Sequence, residues 1–191
     1  MFIKQDIDNN KINNKNTKTY NQIPYNKGKK TSLAILGLFT TLALILSYVD
    51  SLLPVLPAIP GVKLGLANLI FLIVMTNYGI RDAVLVNIVR IVLTGLLFGN
   101  VFSIAYSLAG AIIAMLIMYV FYRRAFCGIM GISILGGIFH NIGQMFVAFL
   151  IVKSAGVWYY LPYLFLAGCL CGAVMGVIAN ILSSRLKPLM R

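Results

Sequence analysis

Long apolar runs alternate with short polar or glycine-containing connections between residues 31 and 182. A helix that crosses a bilayer needs about 20 mostly apolar residues, and six runs approach that length. The pattern therefore predicts an all-α integral membrane protein, a bundle of six transmembrane helices. The predicted spans are Thr31–Val49, Leu64–Tyr78, Ala83–Phe98, Val101–Tyr122, Gly131–Val152 and Leu164–Leu182.

Polar segments flank this membrane domain, which we bound at residues 31–184. Residues 1–30 are rich in asparagine and lysine, too polar to bury a core, so we expect a disordered tail. Residues 185–191 form a short basic tail. Between the first two spans, Ser51–Lys63 carries Pro54, Pro57 and Pro60 at a spacing of three, which favours a semi-rigid extended loop.

Composition and charge support a membrane location. Hydrophobic residues make up 60% of the chain and charged residues 10%, against about 25% charged residues in soluble domains. The positive-inside rule then places both termini in the cytoplasm. The net charge of +12 sits at the ends of apolar runs rather than beside exposed aromatics, so we expect a lipid bilayer as partner and no nucleic acid. The predicted inner ends carry Lys27, Lys29, Lys30, Arg81, Arg123, Arg124, Arg185, Lys187 and Arg191, and the outer connections carry Lys63 and Lys153.

Arg90 lies in the middle of the third predicted span, where a charged side chain costs roughly 2.5–3.5 kcal/mol. Asn87 and Thr94, three residues before and four after, share its helical face. Asp50 and Asp82 fall at predicted span ends, so no acidic partner lies inside a span. We expect Arg90 to bind an anionic ligand, amides or backbone carbonyls, and a purely structural arginine fits the same pattern.

Lys63 and Asn68 flank the start of the second predicted span. The lysine either extends to the membrane surface or attracts an anion at the outer mouth of a site. Gly65 and Asn68 fall in the first turns of a helix of lipid-spanning length, where we expect Gly65 to allow close helix packing.

His140, Asn141 and Gln144 form a polar face on the fifth span. They either contact a ligand or supply hydrogen bonds between helices, each worth about 0.6 kcal/mol. A single histidine without acidic or cysteine companions predicts no metal site, and we expect no cofactor.

Small residues recur every four positions on two spans, which is typical of close helix packing in membranes. The same spacing also suits docking of a partner protein, and the sequence leaves both interpretations open. The residues are Gly168, Gly172 and Gly176 on the sixth span and Gly37 and Thr41 on the first.

Several catalytic motifs are missing from the sequence. There is no phosphate-binding glycine loop with a lysine, so the chain does not hydrolyse nucleotide by itself. With four acidic residues in total, it has no aspartate-rich motif to hold magnesium on a diphosphate. We expect no enzymatic activity. A proton-coupled carrier acting alone would need a carboxylate inside a span, and the predicted spans contain none.

Four blocks, in order, resemble the heptaprenyl diphosphate synthase component I family, also called the Gx transporter family, over about Leu33 to Leu182. That family is similar to the S components of energy-coupling factor transporters. The resemblance implies a six-helix fold with an outward-facing substrate site capped by the loop between the first two spans. It also implies a transmembrane coupling protein and two cytoplasmic ATPases as partners. The blocks are Pro60–Asn68, Arg90 with Leu93–Gly99, Ser107–Gly110 and His140–Gln144.

These observations predict a substrate-binding subunit for uptake of a small anionic, partly apolar molecule, with thiamine-like, quinone-precursor and isoprenoid compounds all compatible. Lys63 would attract the anion, Arg90 would pair with it, and the proline loop would close over it. The alternative is a non-catalytic membrane component of a heptaprenyl diphosphate synthase. It would dock a soluble prenyl synthase through the basic inner face.

Overall fold

The computed structural model describes residues 32–52 and 65–186. Within these ranges the chain forms six α-helices and one 3₁₀ helix, and no strand, which confirms the all-helical prediction. Lys63, the proline loop and residues 1–30 lie outside the described residues. The helices are α1 (Leu33–Leu52), α2 (Leu66–Asn77), α3 (Ile80–Phe98), α4 (Val101–Arg123), α5 (Ile129–Val152) and α6 (Leu161–Leu186), with the 3₁₀ helix Ala155–Tyr160 before α6.

Several helices extend past their predicted ends. Helix α1 continues to Leu52 rather than stopping at Val49, α3 begins at Ile80, and α6 runs from Leu161 to Leu186. Apolarity marks the part of a helix that meets hydrocarbon, whereas backbone hydrogen bonds continue through polar residues at the interface. One consequence is that Asp50, assigned by sequence to a span end, belongs to α1 and is buried.

Among the described residues, four helical segments are long and apolar enough to cross a membrane: Leu33–Leu52, Val101–Arg123, Ile129–Val152 and Gly156–Arg185. The chain is therefore a multi-pass membrane protein. The other two predicted spans correspond to α2 and α3, which do not combine that length with that apolarity. Helix α3 carries three charged residues, and α2 has only 12 residues, about 18 Å of helix at 1.5 Å per residue.

Helix α2 lies in the centre of the bundle. It packs against α1, α3, α5 and α6, and every residue from Leu69 to Thr76 is buried. An apolar helix without a polar face fits a position surrounded by other helices. Helix α2 thus covers the predicted span Leu64–Tyr78 except for its ends, and other helices surround it from Leu69 to Thr76.

The start of α2 also corrects the role predicted for Gly65. This residue precedes the helix with φ of 73°, a left-handed conformation that glycine adopts at little cost. A Cβ atom there would meet nothing within 4 Å. Gly65 therefore serves the turn into α2, and close helix packing does not depend on it.

Helices α5 and α6 approach each other through glycine. A Cβ atom at Gly168 would lie 3.0 Å from backbone atoms of Gly137, and one at Gly172 would lie 2.7 Å from Cα of Ile134. At Gly176 the nearest atom would be Cα of Met130, at 2.8 Å. The glycine ridge of α6 thus lies against α5 within the chain.

The small residues of α1 face outward. Gly37 and Thr41 are exposed, and the Thr41 hydroxyl donates to the Gly37 carbonyl at 2.9 Å. A Cβ atom at Gly37 would meet nothing within 4 Å. This face is thus available to lipid or to another protein, as are the exposed leucines at positions 38, 96, 116 and 170 on neighbouring helices.

Candidate functional site

Arg90 on α3 is held by two neutral side chains. Its Nε and Nη2 atoms donate to Oδ1 of Asn87 at 3.0 and 2.6 Å, and Nη1 donates to the Ser47 hydroxyl of α1 at 3.0 Å. Asn87 is fixed in turn, because its amide nitrogen lies 3.2 Å from the sulfur of Met115 on α4. A guanidinium has five N–H groups, and these bonds use three of them. One N–H remains on each terminal nitrogen.

Asp50 brings a negative charge to the same region. It is 6% exposed, and its Oδ2 atom accepts a hydrogen bond from the Gly65 N–H at 3.2 Å, which ties the end of α1 to the start of α2. Asp50 lines the same two cavities as Arg90. The expectation that no acidic residue lies inside a span is therefore wrong for Asp50, which belongs to α1. The argument against a proton-coupled carrier, which relied on the same absence, also loses its basis.

A cavity of about 600 Å³, counting the open space at its mouth, lies between α1, α2, α3, α4, α5 and α6. Charged, amide, hydroxyl and imidazole groups line it together with glycine backbone and three apolar or sulfur-containing side chains. Its polar side chains are Asp50, Asn68, Arg90, Ser107, Ser133, His140 and Asn141, and Ala67, Cys171 and Met175 complete the side-chain lining.

A second cavity of about 510 Å³, again counting the open space at its mouth, adjoins the first at the turn between α3 and α4. Asp50, Arg90 and Ser107 line both cavities, so these side chains form the boundary between them. The second cavity adds four more hydroxyl groups and an apolar wall. The hydroxyls belong to Ser47, Ser51, Thr94 and Ser103, and the apolar wall to Ile91 and Phe98.

The structure brings five of the eight proposed substrate-binding residues to these cavities. Asn68, Arg90, His140 and Asn141 line the first cavity, and Thr94 lines the second with a buried hydroxyl that has no hydrogen-bond partner among the described residues. Asn87 contacts Arg90 instead of the cavity. Lys63 lies outside the described residues.

Asn141 and Gln144 lie on the same helical face but have different contacts. The Asn141 amide nitrogen donates to the Leu164 carbonyl of α6 at 2.8 Å, while the residue still reaches the first cavity. Gln144 is 1% exposed, packs against Gly110 of α4 and lines neither cavity. Neither amide atom of Gln144 has a partner in the described part of the chain.

A family model for heptaprenyl diphosphate synthase component I matches residues 39–182, well over half of the 191 residues. The chain belongs to the heptaprenyl diphosphate synthase component I family. Comparisons with curated proteins and with solved structures found no match. The matched region contains every residue that lines the two cavities. The further resemblance to S components stays a prediction.

Sequence reasoning missed several cavity residues of this component I chain. Ser47 and Asp50 follow the buried Ala43 at helical spacing on α1. The sequence would have placed them on one helical face if the predicted helix had continued past Val49. Ser103 and Ser107 stand four apart on α4. Serine is common in membrane helices as a packing residue, and only the structure distinguishes these two as cavity residues.

Proposed function

We propose that the chain is the substrate-binding subunit of an uptake system and captures a small, partly apolar molecule with an anionic group. One observation carries the proposal: Arg90 is oriented by neutral acceptors and retains two N–H groups beside a polar cavity within an apolar bundle. A carboxylate can accept hydrogen bonds from two N–H groups of one guanidinium.

The other cavity residues would orient the molecule. Asn68 of α2 and His140 of α5 offer polar groups, and Ser107 adds a hydroxyl from α4. Met175 of α6 would contact an apolar part. Lys63, which lies outside the described residues, would attract the anion.

The cavity would open toward the outside of the cell. Arg81, Arg123 and Arg185 lie at the start of α3 and the ends of α4 and α6, and short connections make neighbouring helices antiparallel. These arginines then mark one end of the bundle, which the positive-inside rule assigns to the cytoplasm together with both termini. The second cavity lies at the opposite end, near the α3–α4 turn.

Energy for uptake would come from partner proteins, which we propose to be a transmembrane coupling protein and two cytoplasmic ATPases. The chain has no nucleotide-binding loop of its own. The outward face of α1, with Gly37 and Thr41 exposed, suits close approach of another membrane helix. We propose no catalytic step for the chain itself.

Variants of Arg90 test the binding role. Protein purified gently from its native membrane should retain a small molecule that mass spectrometry detects after denaturation. Arg90→Ala should lose it, and Arg90→Lys should retain less because it lacks the planar fork. Ile112→Ala, on the exposed face of α4, is the control. Equal retention by folded Arg90→Ala and wild type would contradict the proposal.

The second candidate is a non-catalytic membrane component of a heptaprenyl diphosphate synthase, which the family match favours. Proteins that co-purify with the chain distinguish the two. A membrane coupling protein with ATPases would support uptake, and a soluble prenyl synthase subunit would support the accessory role. Prenyl synthase activity equal to wild type in cells without the chain would exclude that second role.

A further inference from the structure

The second cavity contains a hydroxyl group that no described residue satisfies. Thr94 of α3 lines this cavity, and its Oγ1 atom is buried without a hydrogen-bond partner. A threonine within a helix can donate to the carbonyl four residues earlier, as Thr40 does to Leu36 at 2.8 Å, but Thr94 makes no such bond among the described residues. A buried polar atom without a partner costs free energy, so a ligand or a water molecule should bind this hydroxyl.

The two hydroxyls that α1 contributes to the same cavity already donate within their own helix. Ser47 donates to the Ala43 carbonyl at 2.7 Å, and Ser51 donates to the Tyr48 carbonyl at 2.6 Å. Ser47 also accepts from Arg90. The hydroxyl groups that can serve a ligand here are therefore those of α3 and α4.

Ser103 of α4 lies at the same level of the bundle as Thr94. The residues that directly follow them, Gly95 and Ile104, are in contact, because a Cβ atom on Gly95 would overlap the Ile104 side chain. Ser103 also lines the second cavity. Two hydroxyls, one from each helix, thus lie near the α3–α4 turn, and each can both donate and accept a hydrogen bond.

This pair of hydroxyls is well separated from the guanidinium of Arg90. Arginine side chains on a helix point toward its N-terminus, and the bonds from Arg90 to Asn87 show that orientation. Along the helix axis, Thr94 is therefore between about 6 Å, the rise from Arg90, and about 10 Å, the rise from Asn87, away from the guanidinium. One carboxylate is too small to bind both positions. Between them the cavity wall includes the apolar Ile91.

We propose that the ligand has two polar ends: an anionic group that binds Arg90 and a distal hydroxyl or carbonyl group that binds Thr94, joined by a short apolar segment against Ile91. Ser103 supplies a second hydroxyl to the distal group, which needs no charge because both of these side chains are neutral. Thr94 is thus a specificity-determining residue that selects a carboxylate with a distal polar group over a plain fatty carboxylate. The inference rests on the proposed function and narrows its substrate class.

Two probes of equal size isolate the distal group. The ions ω-hydroxyhexanoate and heptanoate have the same number of heavy atoms and differ only in a terminal hydroxyl or methyl group. The full chain, reconstituted in lipid nanodiscs, is titrated with each by calorimetry. We expect ω-hydroxyhexanoate to bind at least about 10-fold more tightly, a difference of about 1.4 kcal/mol. Non-specific binding to apolar surface would favour heptanoate instead.

Substitution of Thr94 provides the second readout. Thr94→Val keeps the branched shape, removes the hydroxyl and should abolish or reverse the preference. Thr94→Ser keeps a hydroxyl and should keep the preference. Thr40→Val, on α1 and away from both cavities, is the matched control and should also keep it. Thermal unfolding of each variant checks folding; if Thr94→Val does not fold, the ranking in the wild type and in Thr94→Ser decides.

The outcomes distinguish this inference from the proposed function. If the wild type binds heptanoate at least as tightly as ω-hydroxyhexanoate and Arg90→Gln abolishes that binding, the site captures simple anions and only the inference fails. A preference that is unchanged in Thr94→Val also refutes the inference. If the preference is lost in Thr94→Val but both probes bind Arg90→Gln as they bind the wild type, the hydroxyl site stands and the role of Arg90 fails. If neither probe binds the wild type, both proposals fail.

Discussion

Replacing Gly176 with alanine should force α5 and α6 apart. The added Cβ atom would lie 2.8 Å from Cα of Met130, 3.2 Å from the Met130 carbonyl oxygen and 3.0 Å from Cβ of Ser133. Backbone atoms cannot rotate away as a side chain does, so the helices must separate locally. Gly176 lines neither cavity, which makes the change a test of bundle stability alone.

The expected loss follows from these distances. Carbon atoms attract each other best at about 3.5–4.0 Å, so the contact with Met130 requires a movement of at least about 0.7 Å. Overpacking of this kind costs typically about 1–3 kcal/mol. Alanine also gains up to about 1 kcal/mol over glycine in helix propensity, and this gain hides part of the loss in a single variant.

Gly37→Ala removes that ambiguity. Gly37 lies within α1, where an added Cβ atom meets nothing within 4 Å. Both variants receive the same gain in propensity, so the difference between their unfolding free energies measures packing. We expect Gly176→Ala to be less stable than Gly37→Ala by about 1–3 kcal/mol.

The assay is reversible unfolding of the purified protein in mixed micelles, by titration with a denaturing detergent and far-ultraviolet circular dichroism. Equal stability of the two variants, within about 0.5 kcal/mol, would refute the reasoning. It would mean that α5 and α6 are not in backbone contact at Gly176, and that the glycine ridge serves another purpose.

Two further substitutions test single hydrogen bonds in the same unfolding assay. Asn141→Leu removes the bond to the Leu164 carbonyl and should lower the unfolding free energy by about 0.5–1.5 kcal/mol; an unchanged value would mean that this link between α5 and α6 adds nothing. Asn100→Ala removes the side-chain oxygen that accepts from the Ser103 N–H at 2.8 Å at the start of α4. It should cost about 1 kcal/mol, and Asn100→Asp, which keeps an acceptor, should recover most of that loss.

Most of the fold was predictable because the bilayer imposes a simple requirement. Apolar runs of membrane length predict transmembrane helices, and the glycines spaced by four on α6 indicated a close approach to another helix. The burial of α2 was not predictable in the same way. A short apolar run has the same composition whether lipid or other helices surround it, and only the packing of α1, α3, α5 and α6 decides between them.

The candidate site also contains residues that the sequence revealed and residues that it did not. Arg90 was recognisable as a candidate because a charged side chain in the middle of an apolar run costs free energy, and such residues usually have a function. Asp50 was missed because a charged residue near the end of a run was taken as the end of the helix. The error left out the one acidic side chain among the described residues that line the two cavities.

The length of α2 links the membrane fold to the candidate site. Twelve residues make about 18 Å of helix, whereas the hydrocarbon core is about 30 Å thick. A central helix this short leaves space that the surrounding helices do not close. The first cavity occupies such a space, because Gly65, Ala67 and Asn68 at the start of α2 contribute to its lining. Polar residues of α1 and α3 that would otherwise face a packed core then line the two cavities. Extending α2 with apolar residues would fill this space and remove the site, so a short central helix is a requirement of the proposed binding role.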